Sequence, residues 1–195
     1  MISAGYLLKR TTPPSGWLQG SGTDFVEVCS VSACVNDDVV DLLNSWKFNK
    51  FGLANTKNLI LELAQEEGNS VEGTSLFFYE MYEQELASDG WAFDPDAWQG
   101  LTHSDASNVE IDVSPPDHAD QATLLGYDVV AYRDFPDHSP LSCNGVAMEL
   151  QVNRFCLFDS FEQAKDSIDT GKFGGGCEDG LYRIMSVHRL DGWQA

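Results

Sequence analysis

The sequence predicts an α+β protein made of two diverged copies of one strand-helix-strand-helix-strand unit, packed with pseudo-twofold symmetry. Three observations support this fold class. Short motifs recur in the same order in the two halves, one motif in each half precedes an amphipathic helix, and each half ends in an apolar strand. A chain of 195 residues with 43% apolar content is also long enough to bury a sizeable core.

Each unit is expected to begin with a strand and a helix. The strand starts near Gly5 in the first copy and near Gly126 in the second, where a Gly-Tyr pair opens an apolar run. The first helix is expected over residues 37–47 and over residues 145–151.

An eight-residue motif before the second helix gives the best match between the halves. Residues 49–56 (NKFGLANT) and 153–160 (NRFCLFDS) share Asn, a basic residue, Phe, Leu, Asn or Asp, and Thr or Ser in register. Asn55 or Thr56 can cap the helix of the first copy, and Ser160 opens a capping box in the second. Apolar residues at helical spacing follow: Leu59, Ile60, Leu63 and Ala64 in the first copy, Ala164 and Ile168 in the second.

The last strand of each unit follows a helix-ending glycine. Gly68 and Gly171 end the second helices, and the closing strands are expected over residues 76–82 (LFFYEMY) and 181–188 (LYRIMSVH).

These elements divide the chain into a first unit over residues 1–92, an acidic connection over residues 93–123 and a second unit over residues 124–195. The connection holds three prolines and few large apolar residues, a composition typical of a long loop. The two units can also form one compact domain.

Acidic charge is concentrated in the middle of the chain. The sequence has 31 Asp and Glu against 11 Lys and Arg, a net charge of −20, which argues against direct binding to nucleic-acid phosphates or anionic lipid. No Lys or Arg lies between Lys57 and Arg133, where the following carboxylates fall: Glu62, Glu66, Glu67, Glu72, Glu80, Glu83, Glu85, Asp89, Asp94, Asp96, Asp105, Glu110, Asp112, Asp117, Asp120 and Asp128.

The charge favours a function in protein interaction, most simply as an inhibitor that covers a basic partner, in the manner of an immunity protein or antitoxin. The expected electrostatic face consists of Asp94, Asp96, Asp105, Glu110, Asp112 and Asp117. Two alternatives stay open. A nucleic-acid mimic would use the same charge, and a structural or regulatory domain would need the acids for solubility alone.

Cysteine and histidine offer a second class of site. Cys29 and Cys34 enclose four residues, as do His138 and Cys143, and the repeat would bring the two segments together. Three thiolates and one imidazole can hold zinc tetrahedrally, although buried structural cysteines explain the same residues without a cofactor.

A thiol-dependent enzyme is a further alternative. Cys143 would be the nucleophile at a helix N-terminus, with His138 or His188 as its base. The sequence contains no catalytic motif, so it favours a protein without enzymatic activity.

Parts of both halves resemble a group of bacterial hypothetical proteins of similar length with no established activity. The segments that carry the resemblance are GYLLKR and VEVCSVSAC in the first half, and GYDVV, SPLSCN, NRFCLFDSFEQA and CEDGLYRI in the second. The group carries Cys where this chain has His138, which implies that the Cys-His cluster is a variant of a paired-cysteine feature.

The expected location is the cytoplasm. Lys9 and Arg10 follow a short apolar stretch rather than precede a long one, which is the wrong order for a signal peptide. No apolar run approaches the ~20 residues that a membrane-spanning helix needs.

Overall fold

The computed structural model describes residues 1–11, 13, 16, 24–32, 37–38, 47–83, 109–117, 121–132, 136–174, 177, 182–191 and 193. Over these residues the chain forms one antiparallel sheet and two α-helices, which confirms the α+β class. In chain order the elements are β1 (Ile2–Arg10), β2 (Asp37–Asp38), α1 (Lys57–Glu66), β3 (Ser75–Met81), β4 (Ala122–Tyr132), β5 (Pro136–His138), a 3₁₀ helix (Val146–Met148), α2 (Phe161–Asp169) and β6 (Tyr182–Leu190).

The strands lie in the order β2-β1-β3-β6-β4-β5, and every neighbouring pair is antiparallel. Strands β3 and β6 join the two halves of the chain into a continuous sheet, with Tyr79 directly opposite Val187 at the centre of their pairing. Helix α1 packs on β1, and α2 packs on β4 and β6. The core therefore draws on both halves of the sequence.

The two eight-residue motifs, residues 49–56 and 153–160, form loops with the same local hydrogen bonds. We call them the NxF loops, after the Asn and Phe that both contain. In each loop the side-chain Nδ2 of the first Asn donates to a carbonyl of a long strand, from Asn49 to Ala4 at 2.9 Å and from Asn153 to Leu125 at 2.8 Å. The Oδ1 atom accepts the backbone N–H groups two and four residues later, at 2.9 and 3.3 Å in both loops. The asparagines thus fix each loop against the strand beside it.

Gly5 and Gly126 lie where the loops press closest on the strands. Their φ angles are 140° and 149°, a region that side chains rarely adopt. A Cβ atom would lie 2.7 Å from the carbonyl oxygen of Ala54 at Gly5 and 2.6 Å from that of Phe158 at Gly126. Glycine is required at both positions because the neighbouring backbone occupies the space of a side chain.

Both helices begin as the sequence predicts. The Thr56 hydroxyl accepts the backbone N–H of Leu59 at 3.1 Å, and the Ser160 hydroxyl accepts that of Gln163 at 3.2 Å. Of the apolar residues predicted at helical spacing, Leu59 is partly buried, and the others are buried: Ile60, Leu63 and Ala64 on α1, Ala164 and Ile168 on α2.

The predicted first helices are wrong over the described residues. Residues 37–38 form a strand, because their backbone pairs with Lys9 and Arg10 at the edge of the sheet; residues 39–46 lie outside the described part. Within residues 145–151 the chain makes one 3₁₀ turn, in which Ala147 is buried. Val146 and Leu150 pack partly against the same core, but Gly145 has a left-handed backbone (φ 73°), so no helix begins at residue 145.

The predicted strand boundaries also need correction. Strand β1 begins at Ile2 rather than Gly5, and β4 begins at Ala122 rather than Gly126, so β4 includes two residues assigned to the acidic connection. Ladder pairing continues past each glycine, across a register shift on its N-terminal side. The Gly-Tyr pairs thus mark bulges within strands rather than strand starts.

Candidate functional site

Residues 109–117 form a segment in which the side chains of residues 109–114 alternate between partly buried and exposed, the pattern of an extended chain. Ile111 and Val113 are partly buried against the core, whereas Glu110 and Asp112 are exposed. Side chains two residues apart in an extended chain point the same way, roughly 6–7 Å apart. We call this segment the acidic strip; Asp117 at its end is also exposed.

Three hydrogen bonds attach the acidic strip to the fold. The Asn55 side-chain Nδ2 donates to the carbonyl of Glu110 at 2.9 Å, and the Asn55 backbone carbonyl accepts the N–H of Ser114 at 3.2 Å. The Tyr6 hydroxyl donates to the carbonyl of Ser114 at 2.6 Å. These contacts come from β1 and the first NxF loop, so the strip is fixed on its inner side and its carboxylates face outward.

Half of the predicted electrostatic face can be located. Glu110, Asp112 and Asp117 lie on the acidic strip. Asp94, Asp96 and Asp105 lie outside the described residues.

Three of the four residues predicted to hold zinc, Cys29, His138 and Cys143, lie in the described part of the chain. No group of three or more His, Cys, Asp or Glu side chains is arranged to hold a metal ion in the described part of the chain. Cys29 is buried, and its N–H donates to the carbonyl of Phe155 at 3.1 Å. Burial, reinforced by the Glu27 carboxylate, raises the Cys29 pKa far above the ordinary thiol range. Cys34 lies outside the described residues.

Cys143 and His188 lie in different surroundings. Cys143 is half-buried, with its Sγ 3.3 Å from the Ser32 hydroxyl, whereas His188 contacts Ser186 and Glu80 on the central strands. His138 is in β5 beside the turn that leads to Cys143. The described contacts therefore give the predicted nucleophile no catalytic arrangement with His188.

A buried lysine and a buried aspartate hold residues 30–32 against the sheet. Lys9 on β1 is fully buried, and its ammonium donates to the carbonyls of Ser30, Val31 and Ser32 at 3.2, 2.6 and 3.3 Å. Asp128 on β4 is also fully buried and accepts from the Ser30 hydroxyl at 3.0 Å and the Val31 N–H at 2.8 Å. We call this arrangement the Lys9–Asp128 clamp.

The Asp128 carboxyl group has a balanced set of donors. Its Oδ2 takes the two groups just named, and its Oδ1 accepts the Ser139 hydroxyl at 2.5 Å and the Val129 N–H at 2.9 Å. Burial raises the Asp128 pKa, and these hydrogen bonds oppose that rise. Complete burial with every oxygen partnered indicates a structural role.

A polar cluster also lies on the two central strands. The Ser186 hydroxyl is 3.0 Å from His188 Nε2 and donates to Glu80 Oε2 at 3.3 Å, and His188 Nε2 is 3.4 Å from the same Oε2 atom. We call these three residues the Glu80 cluster. The Glu80 side chain is 36% exposed and that of His188 is 18% exposed, so solvent reaches the carboxylate.

The Glu80 cluster has the residue types of a hydrolytic triad without its geometry. In such a triad the serine and the carboxylate contact opposite nitrogens of the imidazole. Here both contact Nε2, and Ser186 is only 2% exposed, which hides the hydroxyl from a substrate. Burial lowers the His188 pKa, and the Glu80 carboxylate opposes the change.

Aromatic rings surround the Glu80 cluster on its face of the sheet. Phe78, directly opposite His188 in the ladder, has its ring centroid 5.8 Å from the imidazole. Tyr127 is opposite Ser186 on the other side, and its ring lies 6.4 Å from that of Phe161 on α2. Tyr82, two residues beyond Glu80, is 4.8 Å from the Phe161 ring.

Sequence reasoning missed the clamp and the Glu80 cluster, although each leaves a signal. Lys9, Glu80, Asp128 and His188 are polar or charged residues inside otherwise apolar strands. A charge at a buried strand position needs a partner, and the pattern itself does not show where that partner comes from.

Comparisons of the chain with protein-family models, curated proteins and solved structures gave no significant match. The resemblance of the quoted motifs to a group of hypothetical proteins therefore stays a prediction. Among the described helices, none is long and apolar enough to cross a membrane.

Proposed function

We propose that this chain is an acidic protein-interaction module that inhibits a basic partner, in the manner of an immunity protein or antitoxin. The acidic strip carries the proposal. Its backbone is fixed by three hydrogen bonds while Glu110, Asp112 and Asp117 are exposed. A pre-ordered anionic edge loses little conformational entropy on binding, which favours recognition over solubility alone.

The total charge supports the same function. A net charge of −20 attracts a basic protein over distances near a Debye length and raises the association rate at low salt. Fast capture suits an inhibitor that must neutralise its target before the target acts. A nucleic-acid mimic is a variant of this proposal, in which the carboxylates compete for a phosphate-binding surface.

The test uses a panel of purified basic nucleases and other basic enzymes, with binding kinetics measured at low and high salt. The strip variant combines Glu110→Gln, Asp112→Asn and Asp117→Asn. A matched control neutralises the same number of exposed acids elsewhere: Glu62→Gln, Glu72→Gln and Glu149→Gln.

We expect the strip variant to slow association with the partner by about tenfold at low salt, with the difference shrinking at high salt. The control should change the rate much less. Equal effects of both variants would mean that net charge alone acts, and would overturn the role of the strip. Competition by a short DNA duplex would distinguish the mimic from an inhibitor that covers another surface.

We also propose that the two halves are diverged copies related by an approximate twofold axis through the Tyr79–Val187 pair. If β1, β2 and β3 of the first half are matched with β4, β5 and β6 of the second, the strand order is symmetric about the centre of the sheet. Strand β1 then pairs with β3 as β4 pairs with β6. The matched NxF loops add support. If the copies are equivalent, Asn49→Ala and Asn153→Ala should each lower the free energy of unfolding by about 2–4 kcal/mol. A large decrease in the free energy of unfolding for one variant and none for the other would contradict the duplication.

A further inference from the structure

We propose that the Glu80 cluster is the anchoring site for one cationic side chain, a lysine ammonium or arginine guanidinium, presented by the basic partner. This inference rests on the proposed function and adds a specific contact to it. The acidic strip would attract the partner over a distance, and the Glu80 carboxylate would receive a single cation at short range.

The charge of Glu80 is available for such a contact. Ser186 offers it a neutral hydroxyl, and His188 is the group able to carry a positive charge within 4 Å of it in the described part of the chain. Burial lowers the pKa of the imidazole, so it carries less positive charge near pH 7 than a free imidazole would. The Glu80 carboxylate is 36% exposed, which leaves room for a further donor.

The surroundings favour a cation over other ligands. The partly exposed rings of Tyr82 and Tyr127 lie on the face of the sheet that carries Glu80, and aromatic rings attract ammonium and guanidinium groups. A single carboxylate without converging ligands suits a hydrogen-bonding organic cation better than a metal ion. An anionic ligand would meet repulsion from Glu80 and from the −20 net charge.

The position within the fold also suits an anchor. Glu80 and Ser186 are paired across the central strands β3 and β6, which are held on both sides by β1 and β4. Truncating an anchor residue on a rigid central strand lowers the binding affinity strongly, because the rest of the site cannot adjust. The contacts of the carboxylate with Ser186 and His188 are both to Oε2, which leaves Oε1 to the incoming cation.

The experiment needs no knowledge of the partner. N-acetyl-arginine methylamide is titrated into the intact protein at pH 7.5 and low salt, and the His188 imidazole signals are followed by NMR, assigned with His188→Gln. The citrulline analogue, equal in shape and without charge, is the matched probe. Glu80→Gln is compared with Glu62→Gln, an exposed glutamate on α1.

We expect saturable shifts of the His188 signals with the arginine probe, much weaker shifts with citrulline, and a loss of affinity of about fivefold or more in Glu80→Gln alone. Equal shifts from both probes, or unchanged affinity in a Glu80→Gln protein that gives a native spectrum, would overturn the inference. Thermal melts of each variant exclude loss of folding as the cause.

The two proposals fail separately. If the strip variant impairs binding to a basic partner and Glu80→Gln does not, the inhibitor function stands and the anchoring site is wrong. If no basic protein binds but the arginine probe shifts His188 in a Glu80-dependent way, the cation site stands and the inhibitor function is wrong.

Discussion

Asp128→Asn tests whether the Lys9–Asp128 clamp stabilises the fold. Each carboxylate oxygen of Asp128 accepts one backbone N–H and one serine hydroxyl, so the two oxygens have the same types of hydrogen-bond donor. The asparagine Nδ2 must replace one of them. In either orientation it faces a backbone N–H, from Val31 or from Val129, and leaves that buried donor without an acceptor.

The serine hydroxyls can rotate to accept from the new amide, so the loss is confined to one buried backbone donor. Such a donor costs about 1–3 kcal/mol, which corresponds to a fall in Tm of about 2–12 °C for a domain of this length. Urea unfolding followed by tryptophan fluorescence measures the loss. Asp24→Asn at an exposed position is the matched control and should leave the free energy of unfolding within about 0.5 kcal/mol of the wild type.

The pH dependence gives the same prediction a second readout. Because burial raises the Asp128 pKa, the folded state binds this proton more tightly than the unfolded state. That contribution is present below the unfolded pKa of about 4 and is lost as the pH rises through the folded pKa. The stability gap between wild type and Asp128→Asn should therefore narrow with rising pH. A gap that widens, or a variant as stable as wild type, would refute the reasoning.

Three further predictions concern glycine, histidine and cysteine. Gly126→Ala should cost about 3 kcal/mol or more in urea unfolding, because the new Cβ lies 2.6 Å from a backbone oxygen at a φ of 149°. Gly68→Ala, with a positive φ but open space, should cost about 1–2 kcal/mol and serves as its control. The His188 pKa measured by NMR should lie below 6.5 and fall further in Glu80→Gln, which removes the opposing carboxylate. Because this pKa is depressed on folding, the stability it contributes is present above the unfolded value and is lost as the pH falls through the folded one. The Cys29 thiol should react with a disulfide reagent only after unfolding, and fast labelling of the native protein at this position would contradict its burial.

Elements defined by local sequence could be predicted, and those defined by distant contacts could not. The caps at Thr56 and Ser160 and the buried faces of α1 and α2 follow from residues within three or four positions, where spacing alone decides the contact. The expected helix over residues 37–47 failed at its start because pairing with the end of β1 takes up those backbone groups. Such pairing overrides a weak helical pattern.

The candidate sites show the same limit. The exposure of Glu110 and Asp112 follows from the alternation of apolar and acidic residues in the acidic strip. The hydrogen bonds that attach the strip to Asn55 and Tyr6 span 55 and 108 residues of sequence. The Glu80 cluster depends on the register between β3 and β6, which no local pattern specifies. A charge within an apolar strand was the available clue to both the cluster and the clamp.

The Lys9–Asp128 clamp also sets an order of events during protein synthesis. Residues 30–32 leave the ribosome before β4 does, yet the Ser30 hydroxyl and the Val31 N–H donate to a carboxylate 98 and 97 residues later. Until β4 has emerged, the segment that the Lys9 ammonium binds lacks its hydrogen bonds to Asp128 and the strand on which it packs. The amino-terminal half is therefore expected to wait unfolded for the carboxy-terminal half, and the two should fold together as one cooperative unit rather than in sequence.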